Sequence, residues 1–322
     1  MGSEKAARTL TQRIWLGPAV RDKLMRTLIA LAIVAAGVVG TASVLAPNEA
    51  AALRLYLAGR AGACSVSESL ASVRFTRKQV EGERRMKAAC KLVEKDPRGF
   101  ALWDTPQGRF WIPQYDESTL YLNLSEQDRE VYRSVPPAGV VLDAGASIGL
   151  YTRKALAQGA SLVVAIEPSP ENLECLRRNL AAEIARGVVL VYPKGVWDKE
   201  YWFDFNIDTT TAARNSFVRK FSQDDKTLRL PLTTIDNLVR ELQLKRVDFI
   251  KMDIEGAERH ALSGARETLR KFRPRMALCV HHLEDDPVKI PEIVGSIVPG
   301  YRTDRQCLLY TEHIEAEVMH FY

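Results

Sequence analysis

A short glycine turn between a strand pattern and a helix pattern is the feature that most constrains the fold of this chain. Val140–Ala144 is a mostly apolar run, Gly145 and Gly149 follow it, and a helical pattern covers Ile148–Gln158. Gly145 can adopt the positive φ that a tight turn needs, and Gly149 lets a helix pack closely on a strand. The turn therefore predicts the first crossover of a parallel α/β sheet.

Strand and helix patterns keep alternating after this turn. Further strands are predicted over Leu162–Ile166, Val188–Tyr192, Val247–Met252 and Met276–His281, and further helices over Pro170–Ala185, Asp236–Leu242 and Ala257–Phe272. Trp202–Asp208 alternates like an antiparallel strand, and Leu308–Tyr310 and Glu317–Tyr322 are expected to close the sheet. This order predicts an α/β fold: a Rossmann-like, doubly wound, mostly parallel seven-stranded sheet.

The N-terminal region carries a long uncharged segment, Thr27–Ala46. As a helix it would span about 30 Å, the thickness of a bilayer core, so it predicts a single-pass membrane helix. A cleaved signal peptide and a buried soluble helix are the alternatives. The nearby basic residues are Arg8, Arg13, Arg21, Lys23 and Arg26 before the segment, and Arg54 and Arg60 after it. This asymmetry places everything after residue 46 across the membrane.

The net charge of +5 is unevenly distributed along the chain. Residues 1–98 hold 17 Lys and Arg against 8 Asp and Glu, whereas residues 131–322 hold 26 of each kind. A neutral C-terminal region gives no argument for a polyanionic substrate, and the basic N-terminal region favours anionic lipid. The predicted domains are a basic tail (1–26), a membrane helix (27–46), a basic helical linker (47–98) and an α/β domain (99–322) that begins with a hairpin and a helix. The helix of the linker is predicted over Arg74–Lys95, either solvated or adsorbed to lipid.

The five cysteines are scattered and show no zinc-site spacing. They are predicted to be structural thiols in the core. Cys64 and Cys90 are the one pair considered for a disulfide, and only in an oxidising compartment.

Two acidic residues at strand ends indicate the cofactor. The glycine turn lacks the third glycine of dinucleotide-binding loops, and Asp143 would repel a phosphate but could orient an ammonium group. Glu167 follows the second strand, where a carboxylate can accept hydrogen bonds from ribose hydroxyls. The pair predicts S-adenosylmethionine rather than a nicotinamide cofactor.

Four segments of the chain resemble successive motifs of a known family. They are VVLDAGASIGLYT, VVAIEPSPENLECLRRNL, KGVWD and VDFIKMDIEGAERHALSGA. The sequence is similar to the FkbM family of S-adenosylmethionine-dependent methyltransferases from about Phe100 to Phe321. The resemblance implies a class I methyltransferase fold, with IKMDIEGAE as its most specific part.

The resemblance also assigns cofactor-binding positions. It implies that the methionine end of the cofactor is lined by Asp143, Gly145, Ser147 and Gly149. It implies that Glu167 holds the ribose and that the adenine is bordered by Val196, Trp197 and Asp198. Ser147 stands where the family often has Asn, and its hydroxyl can still form a hydrogen bond.

The reaction site is expected above the ends of the fourth and fifth parallel strands. The catalytic candidates there are Lys251, Asp253, Glu255, His281 and His282. The first three alternate along one strand end and can project together. Alternatively, Glu255 caps a helix, Lys251 pairs with Asp253, and one histidine is structural. His281 departs from the Glu-His pattern of the family. Family positions that shape the acceptor pocket are matched by Asn215, Ser216 and Thr234–Asp236.

No metal is predicted, because the acidic and histidine residues lack diagnostic spacing. A divalent metal held by Asp253, Glu255 and a histidine stays an alternative. The predicted function is methyl transfer from S-adenosylmethionine to a hydroxyl of a sugar, glycolipid or secondary metabolite. The alternatives are an inactive methyltransferase-fold binding protein and a nicotinamide-dependent oxidoreductase. No nucleic-acid partner is expected, because a base-flipping motif is absent. The supply of the cofactor favours a catalytic domain on the cytoplasmic face of a membrane. The charge asymmetry favours the opposite face.

Overall fold

The computed structural model describes residues 47–322, apart from residues 134, 209 and 224. The predicted basic tail and the predicted membrane helix at 27–46 lie outside the described residues. Within the described part of the chain, none of the helices combines the length and the apolar character needed to cross a bilayer.

The secondary structure follows the predicted alternation. The helices are α1 Pro47–Leu57, α2 Val66–Ala89, α3 Glu117–Arg129, α4 Leu150–Ala157, α5 Pro170–Asn179, α6 Ala181–Ala185, α7 Ile235–Glu241, α8 Glu258–Ser263, α9 Arg266–Phe272 and α10 Asp286–Ile297. The strands are β1 Lys91–Asp96, β2 Phe100–Thr105, β3 Gly108–Pro113, β4 Val140–Ala144, β5 Leu162–Ile166, β6 Val189–Tyr192, β7 Gly195–Val196, β8 Tyr201–Ile207, β9 Lys226–Thr233, β10 Phe249–Met252, β11 Arg275–Cys279, β12 Thr303–Leu309 and β13 Ile314–Phe321.

Seven strands form the central sheet, in the order β12-β13-β11-β10-β4-β5-β6. The strands from β11 to β6 run parallel, and β13 is antiparallel to both β11 and β12. The predicted mostly parallel sheet is therefore confirmed. In the register of β4 and β10, Asp143 lies opposite Lys251. The glycine turn after β4 is consequently adjacent to the predicted reaction site after β10.

The segment predicted as a linker contributes to the folded unit Ala52–Tyr322. Helix α2 begins earlier than predicted, at a Ser65–Glu68 capping box, and ends at Ala89 rather than Lys95. Lys91–Asp96 instead pairs with β2, and β1, β2 and β3 form a second, antiparallel sheet. The helix predicted over Arg74–Lys95 is therefore confirmed for residues 74–89. It was wrong for residues 91–95, which instead pair with β2 across a short turn.

The prediction of buried structural thiols is confirmed for Cys90, Cys175 and Cys279. It was wrong for Cys64 and Cys307, which form a disulfide across a sequence separation of 243 residues. Cys90, the partner considered from the sequence, is a buried free thiol. The true pair lies just before α2 and in β12, and it depends on the packing of these two elements.

Candidate functional site

A cavity of about 310 Å³ opens at the carboxyl ends of the central parallel strands. Two groups of residues line it together with Lys251, Asp253, Glu255 and His281. The first, called the loop group here, comes from the strand-end loops: Gly145–Ile148, Ile166–Pro168, Asn172 and Val196. The second, called the flank group, comes from α2, α3 and the C-terminal hairpin: Gln79, Leu122, Asn123, Glu126, Gln127, Tyr132, Leu308, Tyr310, Glu315 and Glu317.

Gly145 is required by the close passage of two backbone segments. Its φ is +78°, and a Cβ at this position would lie 1.8 Å from the carbonyl oxygen of Asp253. The amides of Gly145 and Ala146 both donate to the carbonyl oxygen of Ile166, at 3.0 Å. Ser147 has a φ of +49° and donates its backbone amide to Glu167 Oε2 at 2.8 Å. These contacts hold the turn against β5 and β10.

Glu167 and Asn172 present acceptor atoms to the cavity. Glu167 Oε1 accepts the backbone amide of Ser169 at 2.9 Å. Burial raises the pKa of Glu167, although these amide donors oppose the shift. Asn172 is buried, and its Oδ1 atom has no hydrogen-bond partner among the described residues. Two carboxylate oxygens and an orphaned amide oxygen suit a ligand that brings hydroxyl donors.

Asp143 does not line the cavity, contrary to its expected contact with an ammonium group of the cofactor. Its Oδ2 accepts the Thr152 hydroxyl at 2.6 Å, and its Oδ1 lies 3.4 Å from Lys251 Nζ. Lys251 also donates to the carbonyl oxygen of Gly145 at 2.7 Å. Burial alone would lower the pKa of Lys251, but the charges of Asp143 and Asp253 outweigh burial and raise it. The ammonium group that lies beside Asp143 therefore belongs to Lys251. The sequence alternative had paired Lys251 with Asp253.

Of the three predicted adenine neighbours, Val196 lines the cavity and the other two point elsewhere. The indole of Trp197 stacks on His260 with ring centroids 3.8 Å apart, and Asp198 Oδ2 accepts a hydrogen bond from His260 Nδ1 at 2.7 Å. Gly149 also lies outside the lining. A Cβ there would come within 2.7 Å of Leu180 Cδ1, so Gly149 serves packing, as its motif position suggested.

Lys251, Asp253 and Glu255 line the cavity together, as their alternation predicted. Asp253 Oδ2 accepts the Tyr132 hydroxyl at 2.8 Å. Burial would raise the pKa of Asp253, but Lys251 and nearby histidines lower it to about 2. Glu255 has a φ of +55° and does not cap the next helix. The next helix has Ala257 as its N-cap and no side-chain cap. Glu258, which sequence reasoning missed, instead holds the turn before that helix, because its carboxylate accepts the amides of residues 254 and 256 at 2.8 and 3.0 Å.

The two adjacent histidines have different surroundings. His281 is exposed, lines the cavity and has Nδ1 3.2 Å from the carbonyl oxygen of Glu317. The side chain of His282 is 1% exposed, and its Nδ1 lies 3.0 Å from Glu258 Oε1. Its Nε2 lies 3.5 Å from Asp253 Oδ1 and 3.5 Å from Glu255 Oε1 and makes no hydrogen bond. His282 therefore belongs to a buried polar cluster with Asp253, Glu255 and Glu258, whereas His281 belongs to the cavity wall.

The segment between β8 and α7 contributes unevenly. Asn215 lines the cavity, and the Ser216 hydroxyl donates to the carbonyl oxygen of Glu255 at 2.7 Å. Thr234 instead caps α7, and Asp236 accepts the amides of Glu267 and Thr268. The last two positions serve turn and cap chemistry and do not shape the pocket.

Sequence reasoning missed the flank group. Burial, together with the charges of Glu317 and Asp253, raises the pKa of Glu126 to about 8. Burial also raises the pKa of Glu317. Neither residue follows a parallel strand of the glycine-turn pattern, and the sequence carries no local signal that α3 and β13 meet at this cavity.

The cavity is acidic. The acidic side chains lining it within the described residues are Glu126, Glu167, Asp253, Glu255, Glu315 and Glu317, and the lysine and arginine side chains are Lys251 and Arg214. Both cations already face carboxylates, Lys251 that of Asp143 at 3.4 Å and Arg214 that of Asp208 at 3.1 Å. Such a lining favours a cationic ligand and disfavours a pyrophosphate.

Comparisons with known proteins agree with this geometry. Residues 143–302 match the family model described as Methyltransferase FkbM domain. "Methyltransferase 1" from Beauveria bassiana is 25% identical over 149 residues, which are 40% of this chain and 59% of that protein. The chain thus spans less than two thirds of that relative.

Solved structures of related fold include the methyltransferase FkbM from Methylobacillus flagellatus. It is 19% identical, with a TM-score of 0.44, over 78% of this chain and 59% of that chain. Another is M. jannaschii TYW2 in complex with AdoMet, 13% identical, with a TM-score of 0.39, over 72% of this chain and 92% of that chain.

Proposed function

Since the chain carries an FkbM methyltransferase domain, we propose that it transfers a methyl group from S-adenosylmethionine to a hydroxyl acceptor bound in the 310 Å³ cavity. The observation that carries the proposal is the composition of the cavity wall. The glycine turn, Glu167 and the orphaned Asn172 Oδ1 meet there with an excess of carboxylates. A sulfonium cofactor that carries an ammonium group and two ribose hydroxyls matches that wall in charge and in hydrogen bonding.

In this proposal the loop group holds the cofactor. Glu167 and Asn172 accept hydrogen bonds from the ribose hydroxyls, and Val196 borders the adenine. When bound, S-adenosylmethionine supplies an electrophilic methyl group. The carboxylates of the cavity wall compensate its positive charge in a low-dielectric site.

The acceptor lies against Asp253, Glu255, His281 and the flank group. Much of the acceleration of an in-line displacement comes from holding the two reactants in line. The acceptor hydroxyl must also lose a proton, and a positioned base typically contributes 10²–10⁴-fold. Glu126 is the candidate base, because burial and the charges of Glu317 and Asp253 raise its pKa and make its carboxylate more basic, whereas, despite burial, Lys251 and the nearby histidines lower the pKa of Asp253 and make it a weak base. A sugar, glycolipid or secondary metabolite is the proposed acceptor class.

Calorimetric titration with S-adenosylhomocysteine tests the cofactor assignment. The parent protein should bind it, and Glu167→Gln should bind about 10- to 100-fold more weakly, because one buried charged acceptor is lost. Glu174→Gln, a change on the outer part of α5, is the matched control and should bind like the parent. Absence of heat with the parent, or equal binding by Glu167→Gln, would refute the proposal. Binding of NADH in its place would support the oxidoreductase alternative.

Membrane association through residues 27–46 is proposed from the sequence alone, and the side of the catalytic domain is contested. The cofactor argues for the cytoplasmic face. The Cys64–Cys307 bond is a feature of oxidising compartments and agrees with the charge asymmetry, which places the domain across the membrane. Protease protection of the full chain in sealed vesicles separates the two positions.

A further inference from the structure

His282 lies among three carboxylates. One of its ring nitrogens forms a hydrogen bond with a carboxylate, and the other forms none. Its Nδ1 faces Glu258 at 3.0 Å, and its Nε2 is 3.5 Å from one oxygen of Asp253 and 3.5 Å from one oxygen of Glu255. The side chain of His282 is 1% exposed and that of Glu258 is fully buried. A buried ring nitrogen aimed between two carboxylates without a hydrogen bond requires an explanation.

The contacts of Glu258 determine which nitrogen is available. Both of its oxygens accept backbone amides, from Ile254 and Gly256, so the carboxylate is held as an acceptor. His282 Nδ1 is therefore the donor in the contact with Glu258. Although burial opposes the shift, the charges of Glu258 and Glu255 raise the pKa of His282, so a cation would displace the Nε2 proton and bind the lone pair that faces Asp253 and Glu255. A histidine whose second nitrogen donates to a carboxylate is the usual arrangement around a protein-bound metal ion.

We propose that Asp253, Glu255 and His282 Nε2 form a site for a divalent cation, with Glu258 orienting the imidazole. Metal–ligand bonds of about 2.1 Å at angles of 90–109° separate ligand atoms by about 3.0–3.4 Å, close to the 3.5 Å found between Nε2 and each carboxylate oxygen. The four side chains include Asp253, Glu258 and His282, whose ligand atoms lie within 4.8 Å of one another.

The neighbouring contacts leave the proposed ligand atoms free. Asp253 receives the Tyr132 hydroxyl on Oδ2, at 2.8 Å, so Oδ1 is the oxygen that faces His282. Glu255 directs Oε1 at His282, while its Oε2 lies 3.6 Å from Arg219. The Ser216 hydroxyl, at 2.7 Å from the Glu255 carbonyl oxygen, fixes the backbone of this residue in its left-handed conformation.

Charge balance favours a cation at this position. Three carboxylates surround one imidazole, and of the nearby cationic side chains that the structure describes only Arg219 pairs with one of them, at 3.6 Å from Glu255 Oε2. Lys251 faces Asp143 at 3.4 Å and Arg259 bonds Asp286 at 2.5 Å. Two carboxylates and one imidazole suit Mn²⁺ or Mg²⁺ rather than thiolate-preferring metals. Because Asp253 and Glu255 line the cavity, an ion between them is accessible to an acceptor oxygen.

This inference deepens the proposed function, since a cation here would bind the acceptor hydroxyl and ease its deprotonation. The site and the cofactor pocket are nevertheless separable by experiment, because the ligands proposed for the ion differ from Glu167 and Asn172.

Electron paramagnetic resonance of free Mn²⁺ tests the site directly. Full-length protein is stripped with EDTA, dialysed and titrated with MnCl₂. One Mn²⁺ per chain should disappear from the free signal, and Glu255→Gln should weaken this binding at least about 10-fold, the effect of losing one charged ligand. Glu315→Gln removes an acid from another part of the cavity wall and should leave Mn²⁺ binding unchanged.

Two results would overturn the inference: no stoichiometric Mn²⁺ binding by the parent, or undiminished binding by Glu255→Gln. Thermal melts confirm that the variants fold, and Asp253→Asn, which keeps the size of the side chain, is the second variant. Titration of the same stripped protein with S-adenosylhomocysteine keeps the two proposals apart. Cofactor binding without Mn²⁺ binding rejects the cation site alone, and the reverse result rejects the proposed cofactor.

Discussion

The loop group and the flank group line one cavity but are built in different ways. The loop group lies within residues 143–302, the segment matched by the family model, and its members lie at strand ends, in the turns after them or in the first turn of α5. The flank group lies outside that segment and reaches the cavity through α2, α3 and the C-terminal hairpin. The difference shows that local backbone geometry fixes the side proposed for the cofactor, whereas long-range packing fixes the side proposed for the acceptor.

The largest expected effect on ligand binding concerns the loop group. Gly145→Ala should weaken S-adenosylhomocysteine binding at least about 100-fold, or about 2.7 kcal/mol, because the new Cβ would lie 1.8 Å from the Asp253 carbonyl oxygen and the turn must move. Gly159→Ala is the control, since Gly159 also has a positive φ, +97°, but nothing lies within 4 Å of the added Cβ.

Calorimetry and thermal melts of the two variants check this prediction. Gly159→Ala should lose only about 1 kcal/mol of stability, the cost of a left-handed conformation, and keep its affinity for the ligand. If Gly145→Ala is too unstable to titrate, its larger loss of melting temperature relative to Gly159→Ala carries the same conclusion. Binding of Gly145→Ala at the parent's affinity would show that this turn does not depend on glycine.

The same contrast explains how much the sequence could predict. The positive φ of Gly145 follows from a strand–turn–helix pattern that is readable over about ten residues. The seven-stranded sheet follows from the alternation of strand and helix patterns along the chain, and the shared position of Lys251, Asp253 and Glu255 follows from their spacing at a strand end. The direction of a side chain within that frame is harder to predict. Asp143 pairs with Lys251 because the register of β4 and β10 places the two residues side by side. The order of strands in the sheet, and therefore this pairing, cannot be read from the linear sequence.

Two further positions depend on contacts that the local pattern does not specify. Trp197, predicted as an adenine neighbour, stacks on His260 and does not line the cavity. Residues 91–95, predicted as helix, pair with β2 in a hairpin and form a strand.

A large effect is expected from the disulfide that ties α2 to the C-terminal hairpin. Replacing Cys64 and Cys307 by Ala should lower the free energy of unfolding by about 4 kcal/mol, because the bond closes a loop of 243 residues in the unfolded chain. Hydrogen exchange should increase most in Val66–Ala89 and Thr303–Leu309, and much less in Val140–Ala144.

Denaturant titration with and without reductant checks the assignment. Reductant should destabilise the parent and leave the double Ala variant unchanged, because no further disulfide exists among the described residues. If reductant does not change the free energy of unfolding of the parent, the disulfide assignment is contradicted. Uniform loss of protection, including β4, would contradict the proposed contrast between the two groups.

The next prediction concerns the pH dependence of stability that arises from His320, a buried histidine in β13. His320 is buried, and its Nε2 donates to the carbonyl oxygen of Val131 at 3.0 Å. Burial, aided by Arg133, lowers the pKa of His320 from 6.5 to about 4. Between these values the unfolded chain binds a proton that the folded chain does not. Stability is therefore complete above pH 6.5 and falls by up to about 3 kcal/mol as the pH drops towards 4.

Urea unfolding of the parent and of His320→Gln between pH 7 and pH 4.5 measures this contribution. The Gln variant should lose less stability over the interval, while His313→Gln, a change at an exposed histidine, should follow the parent. Identical pH profiles for the parent and His320→Gln would show that this buried imidazole does not link the hairpin to pH.

The smallest effect concerns the crossing of α2 and α3, which brings Gln79 and Glu126 to the cavity. A Cβ on Gly82 would lie 2.2 Å from the hydroxyl oxygen of Ser125, so Gly82→Ala forces the helices apart or the serine to rotate. Overpacking of this kind costs about 1–3 kcal/mol, and the better helix propensity of Ala returns about 1 kcal/mol. We expect a net loss of about 1 kcal/mol, measured by thermal unfolding. The double variant Gly82→Ala/Ser125→Ala should recover most of it, because the clashing oxygen is gone. If Gly82→Ala alone stabilises the protein, the gain in helix propensity exceeds the cost of the contact with Ser125. The flank group would then be held in place by the C-terminal hairpin and the disulfide.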